Sequence, residues 1–288
     1  MKGTRIFLFC IFALPILAGI SGAQESGKRT TLLLSNGFAA RSTPAGFGDN
    51  VSVGLMRYYS DSDSMLFRNN HIAVGVADDF SPASDAIGGY LEIEPIAAFN
   101  LRVQYDYLTY FGLFNAIVLF PSKNSNYSPS VMNHIPKDKI ITADGTHFRI
   151  MPTFQAEFKR VIMVDMMSFE WFNVKKDGFF YEPNNDTLMK TTEYFFSNMT
   201  ILGYQVRGSG DNDRMILGTR YSFFKVRSTS TERQQLDAAF VWMMGDKRWF
   251  MEKPRIVLVA GGFLNDRYRE REFFAGTMID FDYTLKRF

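Results

Sequence analysis

Three histidines are the only imidazoles in this 288-residue chain, and they bound the acid–base chemistry it could perform. A serine nucleophile needs its base within hydrogen-bond reach. His71, His134 and His147 are followed by Ile72-Ala73, Ile135-Pro136 and Phe148-Arg149, so none forms a His-x-Ser pair. His147, with Asp144 three residues before it, is the one suggestive catalytic site, against the plainer reading of a hydrogen-bonded structural histidine. The single cysteine, Cys10, stands in the amino-terminal apolar stretch. Asp61, Asp63 and Asp78-Asp79 lack the glycine and distal glutamate of a calcium loop. Gly208-Ser209-Gly210 reads as a turn, because no Lys-Ser/Thr follows it to make a phosphate cradle. The residues therefore name no catalytic group, no metal site and no cofactor.

The remaining ionisable groups belong to strands. Leu101-Arg102-Val103-Gln104-Tyr105-Asp106-Tyr107 puts Leu, Val and Tyr on one face and Arg, Gln and Asp on the other. Phe148 to Phe158 and Ile279 to Lys286 alternate in the same way, and Leu91 to Glu94 is a shorter case. The helical template of apolar residues at i, i+3, i+4 and i+7 fits none of them. Twelve strands are predicted, at 30–39, 50–59, 70–79, 88–97, 100–111, 146–158, 161–174, 196–207, 214–226, 234–244, 254–263 and 273–287. Their polar faces collect Glu92, Glu94, Arg102, Asp106, Arg149, Glu157, Glu170, Arg220, Asp237, Asp280 and Asp282. In a water-filled barrel such a wall biases which solutes pass. In a narrow one the same charges pair and fill the interior.

Residues 1–23 have the three parts of a secretory signal peptide. Lys2 and Arg5 precede an apolar run from Ile6 to Ile20, and Ser21-Gly22-Ala23 supplies the small-residue cleavage site. Without that segment, Lys2 and Arg5 are lost and 30 basic residues face 30 acidic ones. A balanced charge offers no excess for nucleic acid. The 29 Phe and 13 Tyr suit strands and the aromatic girdles of a membrane barrel.

An exported chain whose last strand is amphipathic and whose last residue is Phe288 resembles the bacterial outer-membrane β-barrel proteins. The resemblance implies an all-β, antiparallel transmembrane β-barrel of about 12 strands, formed by residues 24–288 as a single domain after cleavage of 1–23. It implies residence in the outer membrane of a Gram-negative bacterium. The partners it implies are outer-membrane lipid, the barrel-assembly machinery and small solutes. One detail departs from that class. The apolar set Ile279, Phe281, Tyr283 and Leu285 is out of phase with Phe288, which requires a bulge near Lys286-Arg287 or a terminal residue off the strand.

With the amino terminus periplasmic, the longest connections, 112–145 and 175–195, face the cell exterior. The stretch from Leu113 to Phe120 could fold inward as a constriction, with Tyr127, His134 and Lys137 as ligand contacts. A passive pore or small-solute channel with a mixed-charge lumen is the expected function. One alternative is a non-conducting structural or adhesive barrel acting through its outer loops. The other is a barrel-embedded lipid hydrolase, although the His and Ser two apart on one strand that mark outer-membrane phospholipase A are missing.

Overall fold

The computed structural model describes residues 30–59, 70–112, 117–208, 213–245, 247–248 and 251–288. The expected signal peptide at 1–23, the 60–69 connection and residues 113–116 of the apolar run lie outside them. The chain runs β1 (Thr30–Ser42), β2 (Ala45–Tyr58), β3 (His71–Phe80), β4 (Ser84–Ile96), β5 (Phe99–Tyr110), β6 (Leu119–Phe120) and a one-turn helix α1 (Pro129–Met132). It continues through β7 (Ala143–Phe158), β8 (Val161–Val174), β9 (Phe179–Glu182), β10 (Thr187–Lys190), β11 (Thr192–Arg207), β12 (Arg214–Val226) and β13 (Glu232–Met243). The last elements are β14 (Lys247–Arg248), β15 (Met251–Asn265) and β16 (Phe273–Arg287).

Twelve of these strands form one antiparallel sheet in the order β13-β12-β11-β8-β7-β5-β4-β3-β2-β1-β16-β15, and β13 pairs with β15 to close it. Closure leaves no edge strand, so every ladder group finds a partner within the sheet. Each of the twelve predicted strands overlaps one of these. β8, β12 and β16 have the predicted limits to within a residue, whereas β2, β4 and β11 begin four or five residues earlier than expected. Those extensions carry Gly46 and Gly48 in β2, Asp85 in β4 and Glu193 in β11, polar or small residues that break an apolar alternation but still hydrogen-bond in a ladder.

The apolar face of the alternation points outward. Leu91, Tyr105, Leu202, Leu217, Leu236 and Leu258 are each 45–52% exposed, and their strand neighbours at i±1 are more covered. A closed cylinder wrapped in such side chains is stable in hydrocarbon, because water would be ordered over the whole belt. The terminal residue follows from the register of β16 on β1. Leu33 faces Thr284 while Leu32 faces Lys286, so Leu285 is an extra, bulged residue. The bulge falls one residue before the predicted place. It shifts the alternation by one and returns Phe288 to the outward side, where its backbone N–H donates to Thr30 O at 2.9 Å and its ring is 65% exposed.

Candidate functional site

One end of the barrel is covered. The termini and the tight turns at 97–98 and 159–160 lie at the other end, here the terminal end. At the covered end, β9 and β10 make a hairpin that leaves the wall between β8 and β11, and β6 pairs with β9 to widen it into a three-stranded sheet. Phe180 and Met189 point down from the hairpin and are wholly buried against Leu108, Tyr110, Phe172, Val174 and Phe195 of the wall. Above them, Tyr181 and Leu188 pack with Val118, Tyr127 and Met132. Burying each such side chain is worth about 1.5–3 kcal/mol relative to exposing it.

The hairpin tip is latched to the far side. In the order of the closed sheet, β1 and β2 lie opposite the β8–β11 seam from which the hairpin emerges. Arg41 on β1 donates from Nη2 to Pro183 O at 3.0 Å, so the hairpin reaches across the mouth. Asn184 donates to Ser84 Oγ at 2.6 Å and accepts from Ser81 Oγ at 3.0 Å. Asp186 is the centre of the latch. Arg269 grips both its carboxylate oxygens, with Nη2 to Oδ1 at 2.9 Å, and Tyr181 donates to Oδ1 at 2.6 Å. Arg233 adds a contact to Oδ2 at 3.1 Å, donates to Asn185 O and Asp186 O, and binds Asp266 at 2.5 Å.

Burial opposes the charge on Asp186, yet the hydrogen bond from Arg269 and the charge of Arg233 outweigh it and hold its carboxyl below the ordinary aspartate range. Glu182 goes the other way. Burial pushes its carboxyl up, although it accepts the N–H groups of Asn184 and Asn185. The Tyr181 phenol is raised well above its ordinary value by burial and by Asp186.

Beneath the cap, the polar residues of the wall form hydrogen-bonded chains. Arg149 binds Asp79 and Asp106, the latter at 2.9 Å. Gln104 donates to Asp106 at 2.8 Å and accepts from Arg102 at 2.8 Å. Arg102 stands 3.9 Å above the Tyr90 ring and within 3.9 Å of Glu92, which also meets His71 and Asn100. Tyr90 lies flat because Gly54 and Gly75 are opposite: a Cβ on Gly54 would stand 2.0 Å from its hydroxyl oxygen. Across the barrel, Arg220 binds Asp237 at 2.5 Å, Arg255 binds Asp280 at 2.9 Å and Ser35 donates to Asp282 at 2.5 Å. Glu157 meets Arg214 at 2.9 Å. Glu94 accepts from the Tyr59 hydroxyl through its backbone carbonyl. On β8 and β11 the same face turns apolar toward the terminal end, with Val164 and Met166 beside Met199 and Ile201.

The geometry gives His147 the plainer reading, a hydrogen-bonded structural histidine, and corrects the expectation for Tyr127. His147 does not pair with Asp144, because residues three apart on a strand lie on opposite faces. Its Nε2 meets Glu170 Oε2 at 2.8 Å, its Nδ1 is 3.9 Å from Asp106, and its ring stacks on Phe172 at 3.8 Å. Tyr127 is 2% exposed and belongs to the cap's core, so it presents nothing to a ligand. His134 and Lys137 are exposed on the cap surface, and His134 Nδ1 lies 2.6 Å from Ser130 O. The latch residues Arg41, Asp186, Arg233 and Arg269 escaped the sequence reading, since they are charged residues at strand ends and in loops without spacing to mark them.

The chain is similar to the beta domain of the Bordetella autotransporter BrkA, with 12% identity and a TM-score of 0.51 over 89% of this chain and 100% of that one. That likeness is one of fold. The chain is an outer-membrane-type β-barrel. The barrel is also matched by the translocator domain of the autotransporter NalP from Neisseria meningitidis, at 7% identity and a TM-score of 0.39 over 97% of this chain and 96% of that one. The outer membrane protein OmpT of Vibrio cholerae matches at 10% identity and a TM-score of 0.37, over 89% and 98%. No family model matches the barrel's sequence, and no curated protein does.

Proposed function

We propose that this barrel is an outer-membrane channel for small solutes whose exterior mouth is closed by the β9–β10 hairpin. The observation that carries this reading is the Asp186 latch. A hairpin that only decorated the rim would need apolar packing at its root, whereas this one is also tied by Arg41 to the opposite side of the mouth and by Arg233 and Arg269 to the rim at β13 and the β15–β16 loop. Ion pairs of this kind are directional and separable, which suits a closure that opens as a unit. Below the closure, Glu92, Glu94, Arg102, Asp106, Arg149, Glu157, Arg220, Asp280 and Asp282 would form the wall that a solute meets. On this reading residues 1–23 are removed on export, and the last strand with its outward Phe288 is the part offered to the barrel-assembly machinery.

A second reading is favoured by a different observation. The wall charges are paired with one another, which is how a filled, non-conducting barrel would use them. Its outer loops would then carry the function. The hydrolase reading has less support: among the described residues no serine hydroxyl hydrogen-bonds His147, whose Nε2 is taken by Glu170.

Planar-bilayer conductance separates these readings. The intact barrel is expected to be closed for most of the record. Replacing residues 179–190 by two glycines, or the single change Asp186→Ala, is expected to produce reproducible steps. Silence from a hairpin-less barrel shown to be inserted would sink the channel reading and favour the filled barrel.

A further inference from the structure

The lipid-facing wall carries polar groups that neither closure nor cap uses, among them the Asn36–Asp49 pair on β1 and β2 and a larger, three-residue cluster on β8 and β11. On β8 and β11 the outward residues are the odd positions of one and the even positions of the other, as the exposure of Met163, Trp171, Leu202 and Tyr204 shows. Asp165 is on this outward face, directly opposite Thr200. Thr200 Oγ1 donates to Asp165 Oδ1 at 2.6 Å, and Asn198 Nδ2 donates to the same oxygen at 2.8 Å.

The depth of the cluster follows from the register. From the terminal end, the outward pairs are Val161–Tyr204, Met163–Leu202, Asp165–Thr200, Met167–Asn198, Phe169–Phe196 and Trp171–Tyr194. Each step of two residues on a strand tilted by about 40° climbs about 5 Å through the bilayer. Asp165 therefore stands about 10 Å from the aromatic Tyr204 row and about 15 Å from the Trp171–Tyr194 row, inside the hydrocarbon band. Ionisable groups at such depth face protein or water, because lipid tails offer no hydrogen bond.

Among the described residues, both donors converge on Oδ1, while Asp165 Oδ2 accepts no hydrogen bond and the second amide hydrogen of Asn198 has no acceptor. One free acceptor and one free donor on the same face are self-complementary about a two-fold axis. We propose that the β8–β11 face is the interface of a symmetric dimer of this chain. In it, Asn198 of each copy donates to Asp165 Oδ2 of the other, satisfying both polar groups within the membrane. An isologous contact has this reciprocity by construction, and interhelical hydrogen bonds in bilayers show that such pairs hold spanning segments together.

The test uses the full chain carrying Cys10→Ser, so that an added cysteine is unique. Met167→Cys sits beside the cluster, and Leu258→Cys faces lipid on β15, away from it. In bacterial outer membranes a short bismaleimide is expected to link Met167→Cys into a homodimer and to leave Leu258→Cys monomeric. In detergent, sedimentation is expected to show a dimer whose dissociation constant rises at least tenfold in Asp165→Leu. The milder Asp165→Asn keeps the shape of the side chain and serves as the check that any loss is not misfolding. Equal, low cross-linking at both positions, or a linked product containing a different protein, would overturn the proposal.

Discussion

Asp186 concentrates the chemistry of the cap in one carboxylate. Two arginines, a tyrosine hydroxyl and the tip backbone all depend on it. Removing one partner of a buried charged pair leaves the other uncompensated, typically at about 3–5 kcal/mol. Because its folded pKa is lowered, Asp186 contributes stability above the ordinary aspartate value of about 3.9, and that contribution is lost as the pH falls below it. Glu182 has the opposite sign. Its raised pKa gives a contribution present in acid and lost as the pH rises through its folded value. The two partly offset each other, with the gripped Asp186 the larger because its loss strands two guanidinium groups. Hydrogen–deuterium exchange within residues 179–190 is therefore expected to quicken below about pH 4, after correction for intrinsic rates. Asp186→Asn is expected to exchange quickly at every pH. An unchanged Asp186→Asn profile would show that the hairpin is held by its apolar root alone.

The last strand shows how an element can satisfy two demands that its pattern sets against each other. Ile279, Phe281 and Tyr283 must face lipid in register with β15 and β1, yet an even number of steps separates none of them from Phe288. The bulge at Leu285 supplies the missing step. Its proposed consequence is specific to assembly: deleting Leu285 removes the bulge and leaves Phe288 four residues after Tyr283, still outward by plain alternation. The deletion is expected to fold into the outer membrane at the wild-type level, read as the fraction of the compact form on unheated gels, whereas Phe288→Asp lowers that fraction. Loss of the compact form in the deletion would show that the bulge itself, and not the direction of Phe288, is what assembly needs. The hairpin makes the complementary point, since its two four-residue strands are too short to stand alone and persist because the wall buries Phe180 and Met189.

For the whole molecule, the outward belt and the inward charges amount to a barrel turned inside out relative to a soluble one, and lipid is the solvent that fits it. Leu258→Arg, near the middle of β15, is expected to destabilise the folded barrel by about 2–4 kcal/mol in lipid vesicles, measured by urea titration. No change would mean that Leu258 does not face hydrocarbon. Much of this was legible in the residues themselves. Period-two alternation, aromatic wealth and turn-like breaks depend only on neighbours in the chain, so Leu101 to Tyr107 and Ile279 to Lys286 already declared strands with one lipid face. The number of strands followed from those breaks. What alternation cannot reveal is which partner a charge meets, because that depends on the curvature and shear of the closed sheet. Arg149 finds Asp79 at a separation of 70 residues, and Arg269 finds Asp186 at 83. His147 meets Glu170 and not the nearer Asp144 because pairing across β7 and β8 outranks closeness along the chain. The sequence alone determined an amphipathic chain of about twelve strands with one lipid face. Only the tertiary structure decided that one mouth is capped, since a cap is made of contacts between segments that local pattern never relates.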